Sequence, residues 1–224
     1  EITISLPDGS QRTLPEGATA TTLAESIGAR LAKAAVAAMV NGDEWDLGRE
    51  LPADATVAII TAASDEGRHV LRHNTAHVLA QAVVQLFPGA KYSIGPAIND
   101  GFYYDFELPG GRTFQEADLE AIDARMREII KANQPFVRDE LPAAEALRVF
   151  ADQPYKCEII ERVSTGAADG EDAGEVGSGE TISVYRNTPE FLDLCRGPHV
   201  PGTAKLGHFK LMKVAGAYWR GNEK

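Results

Sequence analysis

This chain of 224 residues is poor in cysteine, in positive charge and in long apolar runs, and each shortage excludes a class of protein. Two cysteines, Cys157 and Cys195, allow at most one bridge, too few for a disulfide-held secreted scaffold, so reduced thiols are expected. The longest weakly interrupted apolar run, Leu31 to Val40, contains Lys33 and reaches about half the roughly 20 residues a membrane-spanning helix requires. The opening EITISL is acidic and strand-like, without the basic start and apolar stretch of a secretory signal. A cytoplasmic location with no membrane partner is the expectation. Lys and Arg number 22 against 33 Asp and Glu, and a formal charge of −11 argues against general nucleic-acid coating. The charge is uneven, however: residues 196–224 hold six basic residues and one acidic one. A local phosphate-facing patch with Lys205, Lys210 and Lys213 therefore stays open. The chain begins without Met and stops at GAYWRGNEK without a helix stop, the pattern expected of a piece of a longer protein.

What is present is enough chain for a substantial core, in one large domain or two modest ones. Over the first 62 residues, Ile2, Ile4 and Leu6 alternate, Pro7-Asp8-Gly9-Ser10 supplies a turn, and Arg12 to Leu14 completes a hairpin. Thr21 is placed to cap a short helix that stops at Gly28. Ala35 to Val40 and Glu44 to Leu47 flank Asn41-Gly42, and Val57 to Thr61 is a last strand. This order predicts a ubiquitin-like β-grasp. After a polar joint at Ala62 to Gly67, a helix runs from about Glu66 to Phe87 and ends at Pro88-Gly89. Leu71, Thr75, Val78, Leu79, Ala82 and Leu86 share one arc of it, while Val70, His73, His77 and Val84 lie nearly opposite, which predicts cover on both faces.

Gly101 to Glu107 reads as a strand, and Thr113 with Glu116 as a capping box opening a helix through Ile130. Phe136 to Leu141 reads as another strand before a helix from Pro142. Ser164 to Glu180 is rich in Gly and acid and is expected to be a mobile loop. Thr181 to Arg186, Phe191 to Leu194 and Phe209 to Val214 are the remaining expected strands. The whole is assigned to the α+β class.

Two short patterns carry chemistry. His73 and His77, at i and i+4, sit one above the other on a helix, and Cys195 and His199 flank a Gly-Pro turn after a strand. Together they offer four Zn²⁺ ligands, and the alternative for the two histidines is that of satisfied core residues. Lys156 taken alone reads as a solvated surface lysine, and Asp193 as either a turn or ion-pair residue or a carboxylate behind a histidine. Tyr104 reads equally as a core aromatic or a substrate contact. Cys157 has no neighbouring partner and reads as a buried small hydrophobe.

The strings RHNTAHVLAQAV, IGPAINDGFYYDF, DLCRGPHVP and HFKLMKVAGAYWRG resemble the N-terminal editing region of the bacterial threonyl-tRNA synthetase family, and LPDGSQRTLPEGAT resembles its preceding TGS domain. The resemblance implies a TGS β-grasp domain over residues 1–62. An α+β editing domain would follow over residues 63–224, with the long His-bearing helix packed on an antiparallel sheet. It implies an aminoacyl-tRNA deacylase that hydrolyses mischarged Ser-tRNA(Thr), as part of a threonine-tRNA ligase. By position, it assigns catalysis to His73, His77, Lys156, Asp193, Cys195 and His199. Within that set, His73 and Lys156 would act in water and proton transfer, and Asp193 would bind the serine ammonium or orient a histidine. Tyr104 and the backbone near Gly95 and Pro96 would contact the adenosine or seryl group. Editing would need no cofactor, although Zn²⁺ at His73, His77, Cys195 and His199 stays open. ATP, Mg²⁺ and a catalytic Zn²⁺ would belong to an aminoacylation core outside this chain, as would homodimer contacts. Partners would be the tRNA(Thr) acceptor end and the rest of the synthetase. The competing readings are a zinc-dependent, alanyl-type or trans-editing hydrolase and a non-catalytic RNA-binding or regulatory module.

Overall fold

The computed structural model describes residues 1–167 and 181–218. Strand β1 (Ile2–Ser5) buries Ile2 and Ile4 and pairs antiparallel with β2 (Gln11–Leu14) across the expected turn, where Asp8 accepts from the amide of Ser10 at 2.9 Å. Helix α1 (Ala20–Ile27) stops at Gly28, but its cap is Thr19 rather than Thr21. Thr19 Oγ1 accepts from the Thr22 amide, and Thr22 Oγ1 accepts from the Thr19 amide, so two otherwise orphaned donors are satisfied together. A short α2 (Ala29–Ala34), not anticipated from the sequence, leads into β3 (Ala35–Val40).

Asn41 and Gly42, both at positive φ, turn the chain into β4 (Asp43–Trp45). β5 (Val57–Thr61) pairs on the other side of β3, and a parallel bridge from Ser5 to Thr56 joins it to β1. The resulting order, β2-β1-β5-β3-β4, is the expected β-grasp.

β3 reads AVAAMV, apolar at every position, as a strand covered on both faces must. Ala38 and Val40 pack with Leu23 and Val57 in a first core. Ala37 and Met39 join Ile60 and α3 (Asp65–Leu86) in a second. Ser64 caps α3 by accepting from the Gly67 amide at 3.0 Å. Buried side chains circle this helix, from Val70 and His73 to Val78 and Ala82, so the expected cover on both faces is present. Its other wall is α4 (Glu116–Lys131), which contributes Ile122, Met126 and Ile129. The start of α4 is fastened by Asp118, which accepts from the Gln115 amide at 2.7 Å, and not by Thr113 and Glu116.

The Gly101 to Glu107 stretch is not one strand. β8 (Gly101–Phe102) pairs with β7 (Ala97–Ile98), then β9 (Phe106–Glu107) pairs with β6 (Lys91–Tyr92). The segment changes partner between them, and its alternation survives because Tyr104 still points into a core. β10 (Val137–Pro142), β11 (Thr181–Thr188) and β12 (Phe191–Leu194) form an antiparallel sheet in that order. α5 (Ala143–Val149) and α6 (Pro154–Ser164) pack on it through Ala146, Ile159, Ile160 and Val163.

Most of the anticipated acidic loop, residues 168–180, lies outside the described residues. The strand anticipated at Phe209 to Val214 does not form: residues 206–218 carry neither helix nor strand. Phe209 and Leu211 instead lodge against the second core without a pairing partner, with the Arg127 guanidinium 4.8 Å from the Phe209 ring centroid. Among the described residues, no helix is long and apolar enough to cross a membrane.

Candidate active site

The covered rear of α3 carries His73 and His77, and the turn after β12 carries Cys195 and His199. The two meet. Cys195 Sγ lies 2.9 Å from His73 Nε2 and 3.2 Å from His199 Nε2, and the Gly197 amide donates to it at 3.1 Å. The three imidazoles surround this thiol, with ring centroids 4.5 to 5.1 Å apart. The turn holds its shape through Asn74, whose Oδ1 accepts from the Val200 amide at 3.0 Å while its Nδ2 donates to the Pro198 carbonyl at 3.3 Å. Gly197 sits at φ +87 with a Cβ position filled by the Tyr185 hydroxyl, so both its φ and its neighbour demand glycine.

Lys156 corrects the surface expectation: it is 2% exposed. α6 begins at Pro154 and buries Lys156, Ile159, Ile160 and Val163, a single face at i, i+3, i+4 and i+7. Lys156 Nζ reaches Asp193 Oδ1 at 2.5 Å and donates to the Tyr104 hydroxyl at 2.9 Å. The Tyr104 hydroxyl in turn donates to Asp193 Oδ2 at 2.7 Å, and His77 Nδ1 approaches the same oxygen at 2.9 Å. Asp193, fully buried on β12, therefore gathers Lys156, Tyr104 and His77 around one carboxylate.

The electrostatics follow from this gathering. Burial works against ionisation of Asp193, but the Lys156 ammonium and His77 outweigh it and hold the carboxyl below its usual range. Burial, then the charge of Asp193, pushes the Tyr104 phenol well above its ordinary value, so it stays a protonated donor. Burial and neighbouring imidazoles hold His73 and His199 well below the usual histidine value, so both rings are neutral near pH 7. A neutral imidazole beside a fixed ammonium–carboxylate pair can accept a proton, while the ammonium and phenol can donate toward developing negative charge.

All six proposed catalytic positions and Tyr104 thus fall in one buried cluster. Gly95 packs under the Tyr104 ring, where a Cβ would overlap it, and half-buried Pro96 follows at the entry to β7. Cys157 stays apart: it is half-buried in the third core, and its Sγ donates to the Phe150 carbonyl at 3.1 Å. A cavity of about 320 Å³ opens beside His73, walled by Met39, Gly42 and Glu44 on one side and by His69 and Arg196 on the other. Sequence reasoning missed Asn74, Tyr185 and Asp46. Asn74 had a signal, a polar residue between two histidines on a covered helix face. Tyr185 packs on His199 with centroids 4.1 Å apart and the rings tilted by 37°, and its hydroxyl donates to Asp46 Oδ2 at 2.7 Å. Nothing local marks Asp46, which lies 153 residues before the amide it also accepts from, that of His199.

A β-grasp unit followed by an α+β unit with this His and Cys cluster matches two domain families in chain order. The TGS domain family matches residues 2–61, and the threonyl and alanyl tRNA synthetase second additional domain matches residues 182–224. The chain is 49% identical over its full length to a threonine-tRNA ligase of Maricaulis maris, covering 33% of it. Identity is 48% with the ligase of Pelobacter propionicus, over the full chain and 33% of that protein, and 44% with that of Rubrobacter xylanophilus, over 99% of the chain and 32% of that protein. The chain therefore carries matches to both domains, is 44 to 49% identical to the N-terminal region of these threonine-tRNA ligases, and spans about a third of their length.

Proposed function

We propose that this chain is a proofreading deacylase, which hydrolyses the ester of seryl-tRNA(Thr) to serine and free tRNA within a threonine-tRNA ligase. Residues 1–62 are its TGS domain and residues 63–224 its editing domain. The observation that carries the reading is the buried meeting of Lys156, Asp193 and Tyr104 with the His73, His77, Cys195 and His199 cluster.

The need for such a step is physical. Serine differs from threonine by one methyl group, worth only about 1 to 3 kcal/mol in a pocket, or roughly 10- to 200-fold. A second site that admits serine and rejects threonine multiplies that discrimination.

Hydrolysis requires a proton acceptor for water, a donor toward the oxyanion and a proton for the departing ribose hydroxyl. Neutral His73 fits the first role. Lys156, fixed by Asp193, fits the second and third. Asp193 orients His77 through Nδ1, leaving Nε2 turned to the cluster. Cys195 and His199 would hold substrate groups beside His73, and Tyr104 with the backbone near Gly95 and Pro96 would contact the adenosine or the seryl group.

A second reading has its own observation: the ligand atoms of His73, His77, Cys195 and His199 all lie within 4.8 Å of one another. Three imidazoles and a thiol are a donor set that suits Zn²⁺, and its chemistry there would be to polarise the ester or lower the pKa of a bound water. Elemental analysis of protein purified without chelator, with activity assayed after chelation, separates the readings. Activity lost on chelation and restored by zinc overturns the metal-free one.

The direct test is incubation of the chain with seryl-tRNA(Thr) and threonyl-tRNA(Thr). Selective loss of the seryl ester is expected. Equal stability of both esters refutes the proposal in favour of a non-catalytic RNA-binding module.

A further inference from the structure

One residue beyond a strand end in the first unit, one carboxylate grips the site of the second. Asp46 follows β4, inside the segment matched as TGS, and is half-buried. Its Oδ1 accepts from the His199 amide at 2.7 Å, and its Oδ2 accepts from the Tyr185 hydroxyl at 2.7 Å. Tyr185 packs at a tilt on the His199 ring, and its hydroxyl occupies the space beside Gly197. One carboxylate thus fixes both the backbone of His199 and the aromatic plate behind its imidazole. The same hairpin supplies Met39, Gly42 and Glu44 to the cavity at His73.

We infer that Asp46 is a positioning residue for the deacylation site, holding the Cys195 to His199 turn so that His199 presents Nε2 to Cys195, and that the site is incomplete without the N-terminal unit. This rests on the proofreading reading. A TGS unit that served only as an appended RNA-binding module would have no reason to bury a carboxylate against two groups of its neighbour. Two charge-assisted hydrogen bonds, both 2.7 Å long, give the link geometric force as well as strength.

The test uses the full chain in three variants: Asp46→Ala, Asp46→Asn and Tyr185→Phe. Asp46→Ala removes both acceptors, Asp46→Asn retains one for the His199 amide, and Tyr185→Phe keeps the ring contact and that same bond. Turnover of seryl-tRNA(Thr) by Asp46→Ala is expected to fall at least about tenfold in kcat, with KM within about twofold, as loss of a bond to a charged group predicts. Asp46→Asn and Tyr185→Phe should recover much of it. In ¹H–¹⁵N spectra the His199 amide should move upfield in Asp46→Ala and stay near its original position in Tyr185→Phe. Circular dichroism gives the folded fraction. Wild-type kcat per folded molecule in Asp46→Ala, or an unmoved His199 amide, overturns the inference. Should the unmodified chain leave seryl-tRNA intact, the proofreading reading fails instead, and the His199 amide still decides whether Asp46 positions the turn.

Discussion

Replacing Lys156 with Met keeps the stem of the side chain and removes only its ammonium, which makes the buried ion pair measurable. Exposed pairs contribute about 0 to 1 kcal/mol, whereas removing one partner of a buried pair costs about 3 to 5 kcal/mol because the other charge is stranded. Lys156 is 2% exposed, Asp193 is fully buried, and their atoms are 2.5 Å apart, so the larger range applies. For a chain of this size, that corresponds to a fall of roughly 6 to 20 °C in Tm. The pH dependence gives a sharper signature. In the native chain the Asp193 carboxyl is held low, so its stabilisation is complete above the unfolded value of about 3.9 and is lost as pH falls through the lower folded value. Without the ammonium, burial dominates and raises the carboxyl, so acidification neutralises the stranded charge. The stability gap between Lys156→Met and wild type should therefore narrow from pH 7 toward about pH 5. Adding Asp193→Asn to Lys156→Met should cost less than the sum of the two single changes, by roughly 1 to 3 kcal/mol. Urea titrations of the four proteins at two pH values supply every number. Additive effects, or a gap below about 1 kcal/mol that ignores pH, would refute the buried pair as the organiser of the site.

Other consequences can be checked separately. His73→Ala should slow seryl-tRNA deacylation by about 10² to 10⁴ in single-turnover assays with Tm little changed, and a rate within a few-fold of wild type would remove His73 from proton transfer. Because His73 and His199 are held neutral, the acid limb of the rate profile should lie below the ordinary histidine value of about 6.5, with full activity at 6.5 and loss only at lower pH. A limb at or above 6.5 contradicts it. Gly95→Ala would push a methyl into the Tyr104 ring and should destabilise by about 1 to 3 kcal/mol in thermal or urea unfolding while weakening deacylation. Neutralising Lys210 and Lys213, both exposed, together with Lys205, whose Nζ donates to the Lys33 carbonyl at 2.7 Å, should weaken tRNA binding and flatten its salt dependence. Unchanged filter-binding curves across salt would leave that segment a solvated surface.

The parts of this architecture legible in the sequence are those written in local periodicity. The β-grasp strands, the doubly covered α3 and the two His and Cys patterns all follow from alternation, from helical spacing or from turn residues close in the chain. Lys156 was not legible from the residues alone: it reads as a surface lysine, and only the fold places it with Ile159, Ile160 and Val163 on the buried face of a helix. Its type suggested solvent, and the tertiary partner Asp193 overrode that preference. The 101–107 and 209–214 segments show the opposite failure. Both alternate well, but a strand also needs a neighbour, and alternation does not say whether one partner, two partners in turn, or none will be there. Asp46 was invisible for a similar reason, since an Asp after a short strand is ordinary until a distant amide and phenol are seen to converge on it.

β3 divides its side chains between two cores, and the chain is accordingly modular in topology but not in stability. The first unit, cut away, would leave Val70 and Ile60's neighbours on α3 facing water, and the second, cut away, would bare Ala37 and Met39. A protein assembled this way should unfold as one cooperative body, and neither unit could be exchanged through evolution without refitting the other. Fidelity and RNA contact, if carried by separate units, would then share a single fate on heating.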